Sequence, residues 1–524
     1  MTGMTMTVAI PPPSGGAQSR LSALVERSRL AQFLFLFGFA LLIRSPTFGD
    51  WNFEVDDQFY ALVGQRLVDG ARLYTDIWDR KPPALFLTYS LIALVSRAPI
   101  AWQIAALLAA TAGAYGVCRI SRLLTGPFGA LAAGLAYLVL LNRLGGATGQ
   151  APVFYNPLMI VAAGSIINTL EALRDGRINS RLVTGIMAAG LALLFKQTAI
   201  FECIFFGFYI CVALLRGRSG LARASGQIAL LVIAACLPTL IVFAWYWQDG
   251  HLQTLWHALV ASNFSRGYTG FADRTVRFIT GLGMLGMPIV FGALAIPQLM
   301  RDRVLRAPTL FVILWSGSAF AGLAIFPNIR IHYLLPLVTP LCILSASFFE
   351  RHRTGRLGLI VLIGTNLAFG GAWNLADRWR NHIALPRFER YVAEVTPHRK
   401  LLVFGTPSLL YARIGAIPPS RLAFPPHFFE GGEAGASGMD EVAELRRVLD
   451  AGPETVVTVK PLRFTPYNMP NIRQVAHYMR QCRQHRAFTI YDHEGPLQAT
   501  VSSGCAARPY AGAALSLSRN LTTS

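Results

Sequence analysis

From Leu30 to about residue 375, apolar runs alternate with short polar segments, and most runs approach the ~20 residues needed to cross ~30 Å of hydrocarbon. The pattern predicts eleven spanning helices, at about 30–44, 101–118, 126–144, 155–173, 182–196, 199–215, 225–247, 278–299, 306–326, 333–350 and 356–375. Arginine marks every second connection. The segments 119–125, 174–181, 216–223, 301–306 and 351–356 each carry two or three Arg, whereas 145–154, 196–199, 248–277 and 327–332 are longer or poorer in Arg. Loops rich in Lys and Arg stay in the cytoplasm, so the alternation predicts an orientation. The apolar segment 82–96 is short. If it spanned, the Arg20, Arg27 and Arg29 tail would face away from the other Arg clusters, so it reads as a juxtamembrane or re-entrant helix.

The polar N-terminus, with PPPSGG at 11–16, precedes the first run, and RSPTFGD follows it without a small-residue cleavage site. This predicts a retained signal anchor behind a cytoplasmic tail at 1–29. Beyond the last run the pattern changes. KLLVFG at 400–405 and ETVVTVK at 454–460 read as strands, and MDEVAELRRVLDAG at 439–452 as an amphipathic helix. GGEAGASG at 431–438 reads as a flexible linker. The expected organisation is a membrane domain at 30–375, with an external loop at 45–100, and a small α/β domain outside the cytoplasm at 376–524.

Composition agrees. Apolar residues make up 53% of the 524 and charged residues 14%, against about 25% in an average soluble protein. A net charge of +20 would fit nucleic acid, but the Arg residues sit in loops between spans, so no nucleic-acid partner is expected. Only four Lys occur (Lys81, Lys196, Lys400 and Lys460), and two of them fall in the membrane half. Five of the seven Cys lie in apolar runs. Cys482 and Cys505 lie outside them, in a domain expected to be exported and oxidising, and are expected to pair.

Acid is concentrated in one place. Asp50, Glu54, Asp56, Asp57, Asp69, Asp76 and Asp79 crowd a single polar loop, while the whole of 84–350 carries only seven carboxylates. Asp56-Asp57-Gln58-Phe59-Tyr60, Tyr74-Thr75-Asp76 and Lys81-Pro82-Pro83-Ala84 follow in that order. This loop resembles that of GT-C-fold membrane glycosyltransferases that use polyprenyl-phosphate sugars, a superfamily including protein O-mannosyltransferases and the lipid A aminoarabinose transferase. Their loop runs D-E-x-x-Y, Y-x-D, then K/H-P-P-L, so Asp57 stands for Glu and Ala84 for Leu. Lys196-Gln197-Thr198-Ala199, His332-Tyr333-Leu334-Leu335-Pro336, and the stretch from Phe404-Gly405 through Tyr411 to Arg421 are weaker matches.

The resemblance implies an all-α polytopic GT-C-like membrane protein of about eleven transmembrane helices plus juxtamembrane helices, with a small α/β extracytoplasmic C-terminal domain. It implies inverting transfer of a sugar from a polyprenyl-phosphate donor to a cell-envelope acceptor, in a bacterial inner membrane. Asp56 would be the general base, with Asp57 the second catalytic acid. Lys81, Arg80 and Lys196 would meet the donor phosphate, and Tyr60, Tyr74, His332 and Tyr333 the substrates. Glycan, lipid and protein all remain open as acceptors. Many relatives carry a second acid in the next external loop, where this chain has Gln150 and Asn156. No metal and no other cofactor is therefore expected.

Other readings stand beside these. Asp57 could pair with Arg66 or Arg80. Asp76 and Asp79 fit turns or helix caps, and Lys81-Pro82-Pro83 fits a simple helix start. Lys196 could snorkel to the headgroups, and His332 could sit at that level without a ligand. Trp51, Tyr60 and Trp78 fit an interfacial aromatic belt. A transporter or flippase of lipid-linked glycans is the alternative function, although such proteins more often hold ionisable groups near the membrane midplane. Here Glu202 is the main acid within a run.

The orientation is testable by single-cysteine labelling in a background without other cysteines. Arg177→Cys and Arg303→Cys are expected to resist an impermeant maleimide in intact cells. Labelling of either overturns the orientation.

Overall fold

The structure, a computed structural model, describes residues 28–265, 267, 270–325, 329–462 and 465–505. Most of the expected 1–29 tail lies outside the described residues.

A helix stands at each expected span. Among the described residues, seven helices are long and apolar enough to cross a membrane alone: Arg29–Thr47, Pro99–Ser121, Pro127–Gly146, Gln197–Leu215, Leu221–Gln248, Arg306–Ile325 and Ile331–Arg351. The expected span 278–299 is instead a pair, Ala272–Met284 and Gly286–Arg301, bent by 58° at the break. At three further expected spans the helices, Ala151–Ile167, Ser180–Leu193 and Gly355–Ala368, are apolar but too short to cross a membrane alone. The second of these stops before Lys196 because Lys196 is extended (φ −158°, ψ 128°), which breaks the helix between two apolar runs. The third stops ahead of the Gly370-Gly371 pair.

The segment at 82–96 forms the 13-residue helix Pro83–Val95. At 1.5 Å per residue it is about 20 Å long, too short to cross the hydrocarbon. Pro82 occupies its cap and Pro83 its first turn, where a missing N–H costs nothing. It packs on the helix Val55–Val68 at Gly64, where an added Cβ would stand 2.6 Å from the Tyr89 backbone. Spanning helices meet in the same way. A Cβ on Gly190 would stand 1.9 Å from the Ala235 carbonyl oxygen, and one on Gly129 2.3 Å from that of Ala346. Small residues let helix backbones approach where burial of apolar surface gives little drive.

After the last span, the helix Leu375–Glu394 leads into a four-stranded sheet of order β1-β2-β4-β3: β1 is Leu401–Phe404, β2 Thr455–Lys460, β3 Cys482–Asp492 and β4 Gly495–Cys505. β1 and β2 run parallel, and the other pairs antiparallel. The strands and helix read from the sequence are present, with the helix at Glu441–Asp450. The β3–β4 hairpin leaves no clear signal in the sequence, because β3 alternates poorly between buried and exposed positions. The linker reading of 431–438 is wrong: Glu433, Ala436 and Ser437 are buried there. The aromatic-belt reading also fails, since Trp51, Tyr60 and Trp78 are all buried in the protein.

Cys482 and Cys505 are directly opposed in the β3–β4 register and form a disulfide, while Cys118, Cys203, Cys211, Cys236 and Cys342 are free. Thiol counting on denatured, unreduced protein is expected to find five thiols. A count of seven excludes the bond.

Candidate functional site

The acidic loop folds back on itself before it reaches the cavity. Asp76 accepts from the Arg72 N–H at 2.7 Å and closes a tight turn. Tyr74, at φ +69°, donates its hydroxyl to the Lys81 carbonyl at 2.8 Å. Asp79 accepts from the backbone N–H groups of Arg80 (2.5 Å) and Lys81 (3.0 Å), and its other oxygen lies 3.4 Å from Lys81 Nζ. Asp76 and Asp79 therefore shape the turn, and the turn aims Lys81 at the first helix of the loop.

That helix, Val55–Val68, begins with Val55-Asp56-Asp57, and the two acids diverge. Asp56 faces a cavity of about 1380 Å³. One of its oxygens lies 3.9 Å from Lys81 Nζ; the other accepts from Gln150 Nε2 at 2.5 Å and lies 4.0 Å from His332 Nε2. Burial alone would raise its pKa. Lys81, His332, the Gln150 amide and Lys196 outweigh burial and hold the carboxyl well below the usual range. Burial likewise opposes the charge on Lys81, and Asp79 and Asp56 overcome it, leaving its pKa raised. The Lys81 ammonium sits 5.0 Å from the Tyr60 ring centroid and 5.7 Å from that of Phe424. Lys196 Nζ lies 4.2 Å from the Tyr333 ring centroid. Its neighbour Gln197 donates to the Arg80 carbonyl at 2.6 Å, and Ala84 N–H donates to Leu194 at 2.9 Å. The helix break at Lys196 is thus docked on the acidic loop.

Asp56, Lys81, Lys196, His332 and Tyr333 line one cavity, as does Gln150, which sequence reasoning treated only as a missing acid. The floor passes under Gly145, at φ +84°, where a Cβ would come within 3.6 Å of His332 Cβ. The apolar side chains of Ile200, Phe201, Phe243, Val260 and Val276 line the same cavity.

Three expected site residues, Asp57, Tyr60 and Tyr74, do not line the cavity. Asp57 is buried and does not line the cavity. It accepts from the Thr148 hydroxyl and, at 2.5 Å, from the Gly149 N–H. Arg44 donates to the Thr148 carbonyl at 2.8 Å, and Tyr89 to that of Gly149 at 2.8 Å. Asp57 therefore clamps the loop that carries Gln150, and pairs with neither Arg66 nor Arg80. Arg80 lines the cavity, and its guanidinium is held bidentately by Glu433 at 2.5 and 2.6 Å. Tyr60 and Tyr74 are fully buried behind Lys81. Glu433 and Glu54, both in the cavity wall, were missed; the acid-rich loop was the available signal for Glu54. Among the described residues no group of three His, Cys, Asp or Glu side chains converges as a metal site would need.

No protein-family profile matches the chain, and no curated protein matches it in sequence. Solved structures do resemble it. ArnT from Cupriavidus metallidurans in the apo state superposes with a TM-score of 0.56 at 14% identity, over 90% of this chain and 98% of that one. The Archaeoglobus fulgidus oligosaccharyltransferase in the apo form gives 0.42 at 10% identity, over 66% and 55% of the two chains. Its complex with Zn and sulfate gives 0.46 at 11%, over 82% and 67%. The ArnT likeness establishes the fold, a GT-C-like polytopic helical membrane body with a small mixed sheet at its C-terminal end. The two lower scores add nothing to it.

Asp57 carries a pH signature. Burial, opposed by the hydrogen bonds from Thr148 and Gly149, raises its pKa to about 7. The neutral form is therefore favoured in the fold. Its stabilisation is complete below the ordinary carboxyl value of ~3.9 and is lost as pH rises through about 7. The melting temperature of detergent-solubilised protein is expected to fall between about pH 4 and about pH 7, and Asp57→Asn to flatten that fall. An identical slope in both proteins refutes the assignment.

Proposed function

We propose that this chain is an integral membrane glycosyltransferase that moves a sugar from a polyprenyl-phosphate donor to a hydroxyl of a cell-envelope acceptor. The single observation that carries the proposal is the gathering of Asp56 with Lys81, Lys196 and His332 in one cavity that Ile200, Phe201, Phe243, Val260 and Val276 also line. The donor matches both sets of side chains. Its phosphate suits the lysines and its polyprenyl chain the apolar residues.

The chemistry follows from charge. As the sugar–phosphate bond breaks, negative charge grows on the phosphate, and preorganised cations stabilise it. Asp56 accepts the acceptor's hydroxyl proton while that oxygen attacks the anomeric carbon, and a single displacement inverts the centre. A base held so far below its usual pKa is weak in the empty cavity. A phosphate that engages Lys81 and Lys196 removes much of their pull on Asp56, and basicity returns with substrate bound. Catalysis would then face the side opposite the Arg-rich loops, with 376–524 outside a bacterial inner membrane, consistent with the Arg alternation.

Lipid extraction from a deletion strain is expected to show an accumulated polyprenyl-phosphate sugar and an under-glycosylated envelope component. Absence of both rejects the reading, and loss of glycan-lipid transport without loss of transfer favours a flippase. Purified Asp56→Asn is expected to lose ~10²–10⁴-fold in rate with its fold and donor binding kept. Retention of more than about a tenth of wild-type turnover removes Asp56 as the base. Lys81→Ala is expected to weaken both binding and rate, because it meets the phosphate in ground and transition states alike.

A further inference from the structure

In the proposed glycosyl transfer, the reading on which this inference rests, one proton is left over. The acceptor oxygen forms its bond to the sugar, the sugar–phosphate bond breaks, and its electron pair goes to phosphate oxygen. The donor is a phosphodiester with a single negative charge. The released monoester carries about −1.5 to −2 near neutral pH, so most turnovers set free the hydroxyl proton. It arrives on Asp56, where Lys81, His332 and Lys196 disfavour it. The site needs a route by which that proton leaves.

The cavity has a second polar wall, built partly by the C-terminal sheet. Glu54, His493 and Glu494 line it. His493 Nδ1 lies 3.4 Å from Glu54 Oε2, and His493 Nε2 lies 3.6 Å from Glu494 Oε1. Side-chain exposure rises along this series from 8% through 28% to 51%. The oxygen at the inner end, Glu54 Oε1, and His493 Nδ1 are both buried without a hydrogen-bond partner, so each is open to a proton. Glu54 Oε1 lies 3.9 Å from the point a Cβ on Gly145 would occupy, and His332 Cβ lies 3.6 Å from that same point. Glu54 therefore opens on the cavity beside the histidine that neighbours Asp56.

The fold fixes the backbone that carries the imidazole. The His493 backbone N–H donates to the Phe53 carbonyl at 3.0 Å, and Gly371 makes room for the His493 carbonyl, which would stand 2.2 Å from a Cβ there. Arg378 donates to the Asp492 carbonyl at 2.6 Å, and the Asp492 carboxylate accepts from the Glu494 N–H at 2.8 Å. A two-residue turn at the tip of a hairpin, anchored on both sides, presents one imidazole between two carboxyl groups.

We propose that Glu54, His493 and Glu494 form the proton exit of this cavity. The proton taken by Asp56 crosses a cavity water to Glu54, enters the imidazole at Nδ1, and leaves from Nε2 to Glu494 and the solvent. The C-terminal domain is thereby a working wall of the site.

Full-length protein tests this, with the lipid extract of the deletion strain as donor and that strain's envelope fraction as acceptor. His493→Ala is expected to lower kcat roughly tenfold, with the KM for donor lipid within about twofold, and added imidazole to restore most of the rate. A purely structural role would not respond to imidazole. His493→Gln keeps the bulk and is expected to match the wild-type melting temperature while showing the same loss. Glu494→Gln, on a half-exposed side chain, is expected to slow turnover about threefold. Wild-type rates in His493→Gln and Glu494→Gln overturn the relay, as does a loss in His493→Ala that imidazole leaves unchanged. Wild-type protein that transfers nothing from the extract overturns the glycosyltransferase reading itself.

Discussion

A carboxylate taken out of water must be answered by cations and hydrogen-bond donors, and most of the polar architecture here answers Asp56. The answering groups come from distant parts of the chain. Lys81 arrives through a turn shaped by Asp76 and Asp79, Gln150 from a loop held from behind, Lys196 from a break between two spans, and His332 from the start of another. Local hydrogen bonds shape only the Lys81 turn; the other segments are held by contacts with distant parts of the chain. Lys196 interrupts what would otherwise be a continuous apolar run, and Gly145 adopts a left-handed backbone to pass beneath His332. Local irregularity is concentrated where charge is concentrated.

A second layer of buried polar contacts holds these segments in place. Asp57, Arg44 and Tyr89 grip Thr148 and Gly149, so that Gln150 meets Asp56 at a fixed distance. Asp50 accepts from Arg378 at 2.5 Å and from Asn381 at 2.8 Å, and Asn381 also donates to the Tyr491 carbonyl at 2.9 Å. The loop after the first span, the helix after the last and the terminal hairpin meet at that one acid. Such pairs add little net stability compared with apolar packing, because desolvation offsets much of the attraction. Their directionality gives a single arrangement of segments that apolar side chains alone would leave free to slide. Glu433 plays the same part for Arg80, from a stretch whose glycines suggested only flexibility.

Most of the expected spans were legible because membrane crossing imposes a length and a polarity on contiguous residues, and the three expected spans that are short helices fall below that length. The short helix Pro83–Val95 was legible for the same reason, since its length fails the requirement. Asp56 and Lys81 were legible through a motif whose members lie close together in the chain. What escaped depends on partners far away. Nothing near Glu433 announces Arg80, 353 residues earlier, and nothing near Asp57 separates it from Asp56 until Thr148 and Gly149 are seen against it. Trp51 and Trp78 looked interfacial because residue type and distance from a span cannot reveal that the C-terminal domain covers them. Trp51 donates to Glu389, and Trp78 packs on His427 with ring centroids 4.9 Å apart. The β3–β4 hairpin escaped because a strand with one solvated face and few apolar residues leaves a weak alternation.

The position of that hairpin in the chain sets an order on biosynthesis. Its turn at Asp492–Gly495 follows every helix of the membrane body, so the ribosome makes it after all of them. A nascent molecule with its helices already in the bilayer still has an open-sided cavity, and a carboxylate–lysine cluster lacking one wall. Chains that stall or are clipped before residue 492 would sit in the membrane as correctly inserted but incomplete vessels.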